Sequence, residues 1–540
     1  MEFSLSLSIR EITQEYLEGI DPHNPPLPKE IVESLLTATA DRCREVNATK
    51  NKGDTKWKIP TDLSFTQIAD ILAHLYPICR LSCAGDNTDN DYDLLAIYQT
   101  AGPDEGIYVT SEDAFRVLAR EYNYDITDRE FDEMLIALRS KVPRKTRCRD
   151  RDLIAVNNGI FNYKTKELLP FDPNKVFIVK SHVDYNPNAT NVVLHNDSDN
   201  TDWDVESWMH SLSDDDEIVN TLWEILSAII RPNVRWNKSA WLYSEQGNNG
   251  KGTLCELMRS LCGAGSYASI PIESFGKDFM LEPLTRASAI IVDENDVGSF
   301  IDRAANLKAI ITNDVVQINR KFKQPIAYQF YGFMVQCLNE FPRIKDKSDS
   351  FYRRQLFIPM NKCFTGKERK YIKNQYLHNK DVLEYVLYKV LNTDFYTLSE
   401  PAACKAILQE YKEFNDPVRQ YWDEFSSRFV WDLLPTGFLY DLYKSWFKRT
   451  SPSGTVQGKS TFIKDLKNLI ADDENWTYCD RTIRTKNMMD NIEMLIDEYG
   501  LTEWTNKSYT GNNRTNICKY APLAAYSRCI LRVTSNPQNP

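Results

Sequence analysis

Residues 244–255 read SEQGNNGKGTLC. The apolar run before them, SAWLY (239–243), suits a buried strand. After them, Leu254, Leu257, Met258 and Leu261 fall at i, i+3, i+4 and i+7, which is one face of a helix, and Gly263 is placed to end it. A strand, a glycine-bearing loop and a helix in that order aim backbone N–H groups and a helix N-terminus at an anion. The common signature of such phosphate loops is G-x-x-x-x-G-K-[ST]. Here Glu245 holds the first position and Gly252 follows Lys251, so the hydroxyl arrives one residue late, at Thr253. The expected cradle is Gly247, Asn248, Asn249, Gly250, Lys251, Gly252 and Thr253. Gly247 and Gly250 are expected to permit the tight path, and Lys251 to reach the β- and γ-phosphates of a nucleotide.

Three further elements follow in a fixed order. ASAIIVDEN (287–295) is an apolar run ending in Asp293-Glu294. Two acids at a strand tip suit phosphoanhydride hydrolysis, one carboxylate holding Mg²⁺ and the other polarising the attacking water. FMVQCLNEFPRI (333–344) is another buried run, ending at Asn339, whose amide suits orienting that water. FYRRQLFIP (351–359) opens a strand with Arg353 and Arg354, either of which suits stabilising charge on a transferring phosphoryl group from a neighbouring subunit. Between the second and third elements, INRKFKQP (318–325) reads as a hairpin tip, with Arg320, Lys321 and Lys323 around Phe322. Cations around an aromatic suit a single-stranded backbone with stacked bases.

In GNNGKGTL, IIVDEN, NEFPRI and YRRQLFIP, the chain resembles superfamily 3 helicases of the poxvirus, phage and plasmid primase-helicase type. The upstream LIAVNNGIFNYKTKELLPF (153–171) and VDYNP (183–187) resemble that family's lead-in to the motor. The resemblance covers roughly 90–365, and more weakly NDPVRQYWDEF (415–425) and LYDLYKSWF (439–447). It implies a multidomain α/β chain. Its parts would be an N-terminal accessory region (1–90), a collar-like helicase-associated domain (91–215), an AAA+-like P-loop ATPase core (216–365) and a helical, winged-helix-like C-terminal domain (366–540). It implies ATP and Mg²⁺ as cofactors, and a hexameric ring that moves 3′ to 5′ on single-stranded DNA and opens forked duplex. Origin DNA and a primase or polymerase are further expected partners. By the same resemblance Lys251 matches the phosphate lysine, Asp293 and Glu294 the metal and base acids, Asn339 the sensor, and Arg353 or Arg354 the arginine finger. Lys321 and Lys323 match the DNA-contacting hairpin loosely. Many members carry a primase domain ahead of the motor, for which the preceding segment is too short. Gly252 lacks the hydroxyl that commonly ligates Mg²⁺ there, leaving Thr253 or water to supply the ligand.

Composition narrows the setting. The chain has 540 residues, 42% hydrophobic and 26% charged, with net charge -11. A protein that coats duplex DNA non-specifically is basic, so any nucleic-acid contact is expected to be local. There is no apolar run long enough for a membrane span, and the first residues carry no basic n-region of a signal peptide. Twelve scattered cysteines, with Cys79 and Cys83 lacking a second pair, read as reduced thiols of a cytoplasmic protein in a bacterial or virus-infected cell. Asp89, Asp91 and Asp93 lie in an acidic loop and invite a reading as primase metal ligands, against which turn and cap roles weigh. RSKVPRKTRCRDR (139–151) reads as a solvated hinge or a DNA-facing strip. Helices are expected over 63–83, 110–122 and 127–140, and from 216 behind a Ser213 cap, with a hairpin over 153–171 and irregular chain after 505. Two other functions compete with a helicase. One is a nucleotide kinase, since adenylate kinases also carry G-K-G-T, although their loop lies near the N-terminus. The other is an origin-binding scaffold with a decayed motor, although all the catalytic side-chain types are present.

Overall fold

A computed structural model describes residues 4–22, 24–51, 53–84, 93–296, 298, 300–301, 303–321, 323–450, 456–484, 489–519 and 526–533. The chain divides into two units, Met1–Leu408 and Gln409–Pro540.

The first unit is mixed α/β. At its centre five strands run parallel: β1 (Ser239–Tyr243), β2 (Tyr267–Ala268), β3 (Ala289–Val292), β4 (Phe333–Leu338) and β5 (Gln355–Pro359). Their order across the sheet is β2-β3-β4-β1-β5. A parallel sheet is covered on both faces, so its strands are largely apolar rather than alternating, and every residue of β1, β3, β4 and β5 is buried. Helix α1 (Lys251–Cys262) follows β1 and packs against helices Asp216–Ile230 and Lys380–Leu391. Leu222, Leu226, Leu254, Met258, Ile291, Val335, Val386 and Leu387 share that core. Asp215 caps the helix from 216, its carboxylate accepting from Glu217 N–H at 2.9 Å, while the Ser213 hydroxyl accepts from Asp215 N–H. The cap is therefore two residues later than the sequence suggests.

The hairpin over 153–171 forms as Leu153–Val156, Gly159–Asn162 and Glu167–Leu169. Arg231 locks it to the core. This arginine is fully buried, its guanidinium carbon lies 3.5 Å from the Tyr163 ring centre, and it donates to the Phe395 carbonyl at 2.9 Å. Tyr396, Trp236 and Phe395 complete an aromatic cage around the cation.

Ahead of this core, helices Phe65–Leu75, Glu112–Tyr122 and Asp128–Lys141 pack around a four-stranded sheet. Its order is Tyr108–Val109, Leu94–Tyr98, Ile78–Ser82, Arg144–Thr146. The expected helix over 63–83 stops at Leu75, because Pro77 disfavours helical geometry in the residue before it, and Ile78–Ser82 becomes a strand. Pairing of Ile78–Ser82 with Leu94–Tyr98 runs across the division expected at 90/91. The divisions expected at 215/216 and 365/366 likewise fall inside the one core that reaches from Ile154 to Cys404.

The second unit carries helix Pro417–Phe425, strand Leu433–Pro435, helices Thr436–Thr450 and Lys459–Leu469, and strands Trp476–Arg484 and Tyr526–Arg532. The strands pair antiparallel with Tyr526–Arg532 in the middle. Trp422, Trp431, Phe438, Tyr443, Phe462 and Trp476 fill the core. Irregular chain is expected after 505, yet Tyr526–Arg532 is the central strand, of which only Cys529 and Ile530 are buried. Among the described residues no helix is long and apolar enough to cross a membrane, and all twelve cysteines are free thiols.

Asp93 is not placed as a metal ligand, and Asp89 and Asp91 lie outside the described residues. It is 2% exposed and accepts from Arg144 Nε at 2.8 Å and Nη2 at 3.0 Å, while its carbonyl accepts from Arg139. Removing one half of a buried pair costs about 3–5 kcal/mol. Arg144 keeps some solvent, so Asp93→Ala is expected to cost about 3 kcal/mol in urea denaturation. A loss under about 1 kcal/mol would reduce the pair to a surface contact.

Candidate active site

The loop 244–250 leaves β1 at its C-terminal end and re-enters structure at α1. In an open parallel sheet, ligands bind beyond the carboxyl ends of the strands. The turn is made by Asn248 (φ 56°) and Gly250 (φ 83°) in the left-handed region. Gly247 is not constrained: its backbone is not left-handed, and a side chain there would meet open space. Asparagine tolerates that conformation better than other side chains, which is why it stands at 248. A third segment, just past β5, braces the loop. Phe364 N–H donates to the Asn248 carbonyl at 2.8 Å, and the Asn248 amide reaches Thr365 at 3.1 Å. The Asn249 amide donates to the Lys362 carbonyl at 2.8 Å, so this side chain, expected in the cradle, faces inward and holds the loop's base. The first turn of α1 contains no acid of its own, and the carboxylate that meets its positive end comes from Asp293.

Lys251 opens α1 and is 8% exposed. Its ammonium donates to the carbonyls of Ser244 at 3.2 Å and Leu338 at 3.3 Å, and to Asn339 Oδ1 at 2.8 Å. The structure thus brings together Lys251 and Asn339, residues 88 apart in sequence. Burial lowers the Lys251 pKa, and the carboxylate of Asp293 acts in the opposite sense.

Asp293 and Glu294 follow β3 directly. Asp293 packs on Gly252: a Cβ built there would lie 2.9 Å from Asp293 Oδ1 and 3.0 Å from Oδ2. The carboxylate therefore fills the space that a serine or threonine after the lysine would need. Arg259 at 4.0 Å and Lys373 at 3.8 Å flank the same carboxylate. Glu294 is exposed beside it. Thr253 is half-buried on α1.

Two residues that the sequence reading missed fix the acids in place. Asn295 donates to Gln336 Oε1 and to the Cys337 carbonyl, both at 3.0 Å, and accepts from Ile272 N–H at 2.9 Å. Gln336 is fully buried in β4. A polar residue in the middle of an apolar strand was the available signal, since buried amides need partners.

The two arginines are now distinguishable. Arg354 is tied back to Ser350, donating to its carbonyl and, at 2.8 Å, to its hydroxyl. Arg353 is exposed and, among the described residues, makes no side-chain hydrogen bond or ion pair. The basic hairpin forms from Val315–Arg320 and Lys323–Gln329. Its cations are engaged within the chain: Arg320 donates to the Gln324 carbonyl, and Lys323 pairs with Glu112 at 2.6 Å. Phe322 lies outside the described residues. Close by, Asp278 accepts from Asn319 of the hairpin, and the next residue, Phe279, is 51% exposed with φ 65°. A left-handed, exposed phenylalanine is a costly arrangement with no sequence signature.

Three family models match the chain. A D5 N terminal like model matches residues 97–214, a family of unknown function (DUF5906) matches 242–354, and a Poxvirus D5 protein-like model matches 413–516. Comparison with curated proteins gives no match. Among solved structures, the apo form of the NrS-1 C-terminal region is similar at 13% identity and TM-score 0.40, over 86% of this chain and 99% of that one. A JCV helicase bound to a thiazolopyridine acetamide is similar at 17% identity and TM-score 0.23, over 38% of this chain and 58% of that one. D5-type models thus match on both sides of the segment that carries Lys251, Asp293 and Asn339, and over those two stretches the chain is similar to poxvirus D5 proteins.

Proposed function

We propose that this chain is an ATP-driven DNA helicase, working as a hexameric ring on single-stranded DNA in the replication of a phage, plasmid or mobile element. The observation that carries the reading is the convergence of Lys251, Asp293 and Asn339 at the carboxyl ends of β1, β3 and β4. In this reading the loop amides and the N-terminus of α1 receive the phosphates, and Lys251 exchanges Asn339 for a phosphate oxygen. Asn339, released, orients the attacking water, and Glu294 takes its proton. Arg353, exposed and unpaired, serves the site of the adjoining subunit, while Arg354 is structural. Asp293 would hold Mg²⁺ at the foot of α1, with Thr253 or water completing the shell; when bound, the ion neutralises charge between the β- and γ-phosphates. The donor set fits, since a half-exposed carboxylate beside an open helix N-terminus offers the oxygen ligand that Mg²⁺ prefers. The 315–329 hairpin and Phe279 form the DNA-facing surface, the ring stacking on bases and the cations following phosphates. In the second unit, the order helix, strand, two helices, two strands supports a winged-helix reading and with it a duplex or partner contact. The same geometry disfavours a nucleotide kinase, in which a sensor amide bound to the loop lysine has no role.

DNA-stimulated ATP hydrolysis tests the assignment. Lys251→Ala is expected to lose nucleotide binding and turnover together. Glu294→Gln should keep nucleotide binding and lose at least about 100-fold in turnover, the lower range for removing a general base. Undiminished turnover in Glu294→Gln would remove that residue from the chemistry.

The arginine assignment has its own readout. Arg353→Ala should be inactive alone yet recover part of its activity when mixed with Lys251→Ala protein, because each supplies what the other's site lacks. Mixtures no more active than their components would exclude a finger shared between subunits. Arg354→Ala is expected to lower thermal stability instead.

Gly252→Ala should separate fold from metal use. Replacing glycine near a helix start gains up to about 1 kcal/mol of helix propensity, and the clashing atoms are the tip of one side chain. Thermal stability should hold or rise while the Mg²⁺ concentration for half-maximal hydrolysis increases. An unchanged Mg²⁺ dependence would show that Asp293 does not depend on that gap.

A further inference from the structure

Cys255, Asp293 and Cys337 come from three separate elements and meet beneath the phosphate loop. Cys255 lies in the second turn of α1, Cys337 is the penultimate residue of β4, and Asp293 follows β3. The two sulfurs are 3.4 Å apart, and they and a carboxylate oxygen of Asp293 all lie within 4.8 Å of one another. Both cysteines are buried, at 0% and 1%, whereas the Asp293 side chain is 31% exposed, so solvent reaches the group at its carboxylate.

We propose that these three residues form a binding site for a thiophilic divalent cation of the zinc class, and that filling it withdraws Asp293 from the nucleotide. The geometry is close to what such an ion requires. With Zn–S bonds of about 2.3 Å, a tetrahedral ion sets its sulfurs about 3.8 Å apart. The pair needs to open by only a few tenths of an ångström. Two sulfurs and one oxygen make three ligands and leave a fourth position for water. Mg²⁺ is a hard ion that keeps oxygen ligands, so the sulfur pair discriminates between the two metals. Binding releases the two thiol protons to solvent. Two thiolates and a carboxylate around a dication leave one net negative charge, and the Lys251 ammonium acts on all three groups to balance it. Asp293 is the shared element. Turned toward the sulfurs, it leaves the face of Gly252 and the foot of α1. The binding step stands on this geometry alone, and its effect on hydrolysis rests on the nucleotide-site reading above.

Cobalt(II) is the probe, a spectroscopic stand-in for zinc, titrated into the full reduced chain freed of metal. The expected result is one tightly bound Co²⁺ with thiolate-to-cobalt charge transfer and tetrahedral ligand-field bands, displaced by Zn²⁺. Cys255→Ser and Cys337→Ser should each remove the two-thiolate spectrum, and Cys363→Ser, at an exposed cysteine, should not. Asp293→Asn, at a partly exposed position, guards against cysteine variants that fail to fold. It should weaken Co²⁺ by at least the roughly tenfold that losing even an outer-shell partner costs. Absence of a thiolate spectrum in the unaltered chain, or a Co²⁺ affinity indifferent to Asp293→Asn, would overturn the site. Zn²⁺ at the same stoichiometry should inhibit hydrolysis in excess Mg²⁺, reversibly by chelation. Cobalt binding without that inhibition would overturn the withdrawal of Asp293. Because the cobalt spectrum needs no turnover, loss of the site is distinguishable from failure of the ATPase reading.

Discussion

The ammonium of Lys251 has three protons to place and almost no water to place them in. An ammonium taken out of water is costly unless each donor finds an acceptor. Here the acceptors are the carbonyl just past β1, the carbonyl that ends β4 and the amide of Asn339. Two of the three are the last residue of β4 and the one after it, so the lysine is satisfied only if β4 lies beside β1. The sheet order supplies that neighbour by inserting β4 between β1 and β3. The arrangement also links the loop to the end of β4, where Asn339 stands. A ligand that draws Lys251 away must release Asn339, which couples whatever binds at the loop to the side chain that follows β4.

The carboxylate of Asp293 depends on a complementary vacancy. Serine or threonine after the lysine is the common choice in phosphate loops, because its hydroxyl serves the metal. This chain has glycine there and brings a carboxylate into the space instead, with Arg259 and Lys373 alongside. Loop and acid have therefore to be read as one unit: the residue that departs from the signature is the one that lets the acid approach. Asn295 fixes the far side of the same turn through two bonds to β4. Strands β1, β3 and β4 each deliver residues at their carboxyl ends, where polar contacts hold them, and Gln336 adds one such contact within β4.

Around this centre the first unit is tied by features with no bearing on chemistry. Arg231 in its aromatic cage joins the 153–169 hairpin to the chain near Phe395, and residues between 372 and 404 share the core of the five-stranded sheet. The Asp93–Arg144 pair closes the four-stranded sheet ahead of it. The 315–329 hairpin is itself anchored, since Arg147 donates to the Tyr328 hydroxyl at 2.9 Å and Lys323 meets Glu112. Part of the basic strip over 139–151 thus holds the hairpin's base and the sheet's edge.

Much of the motor was legible in the chain itself. Apolar runs of strand length ending in DEN and in Asn339, behind a glycine loop and a helical stripe, specify a buried parallel sheet and its order in sequence, because hydrophobic period is a local property. The placement of Lys251, Asp293, Glu294 and Asn339 beyond strand ends followed from that order. Other features were not legible because they depend on contacts far apart in sequence. Which arginine is free was decided by whether the backbone lets a guanidinium fold back onto Ser350. Which loop residue turns the chain was decided by φ at Asn248. The last strand, Tyr526–Arg532, was hidden because only two of its residues are buried, so composition there is polar. The strand pairing that crosses 90 and the core that crosses 215 and 365 were hidden for the same reason, since a core joins residues without regard to their separation. The sequence by itself determined which groups exist and the order in which strands deliver them. Only the tertiary structure decided that Gly252 makes room for Asp293 and that two cysteines 82 residues apart meet beneath it, because such vacancies and meetings arise from strand adjacency and close packing, which no local pattern encodes.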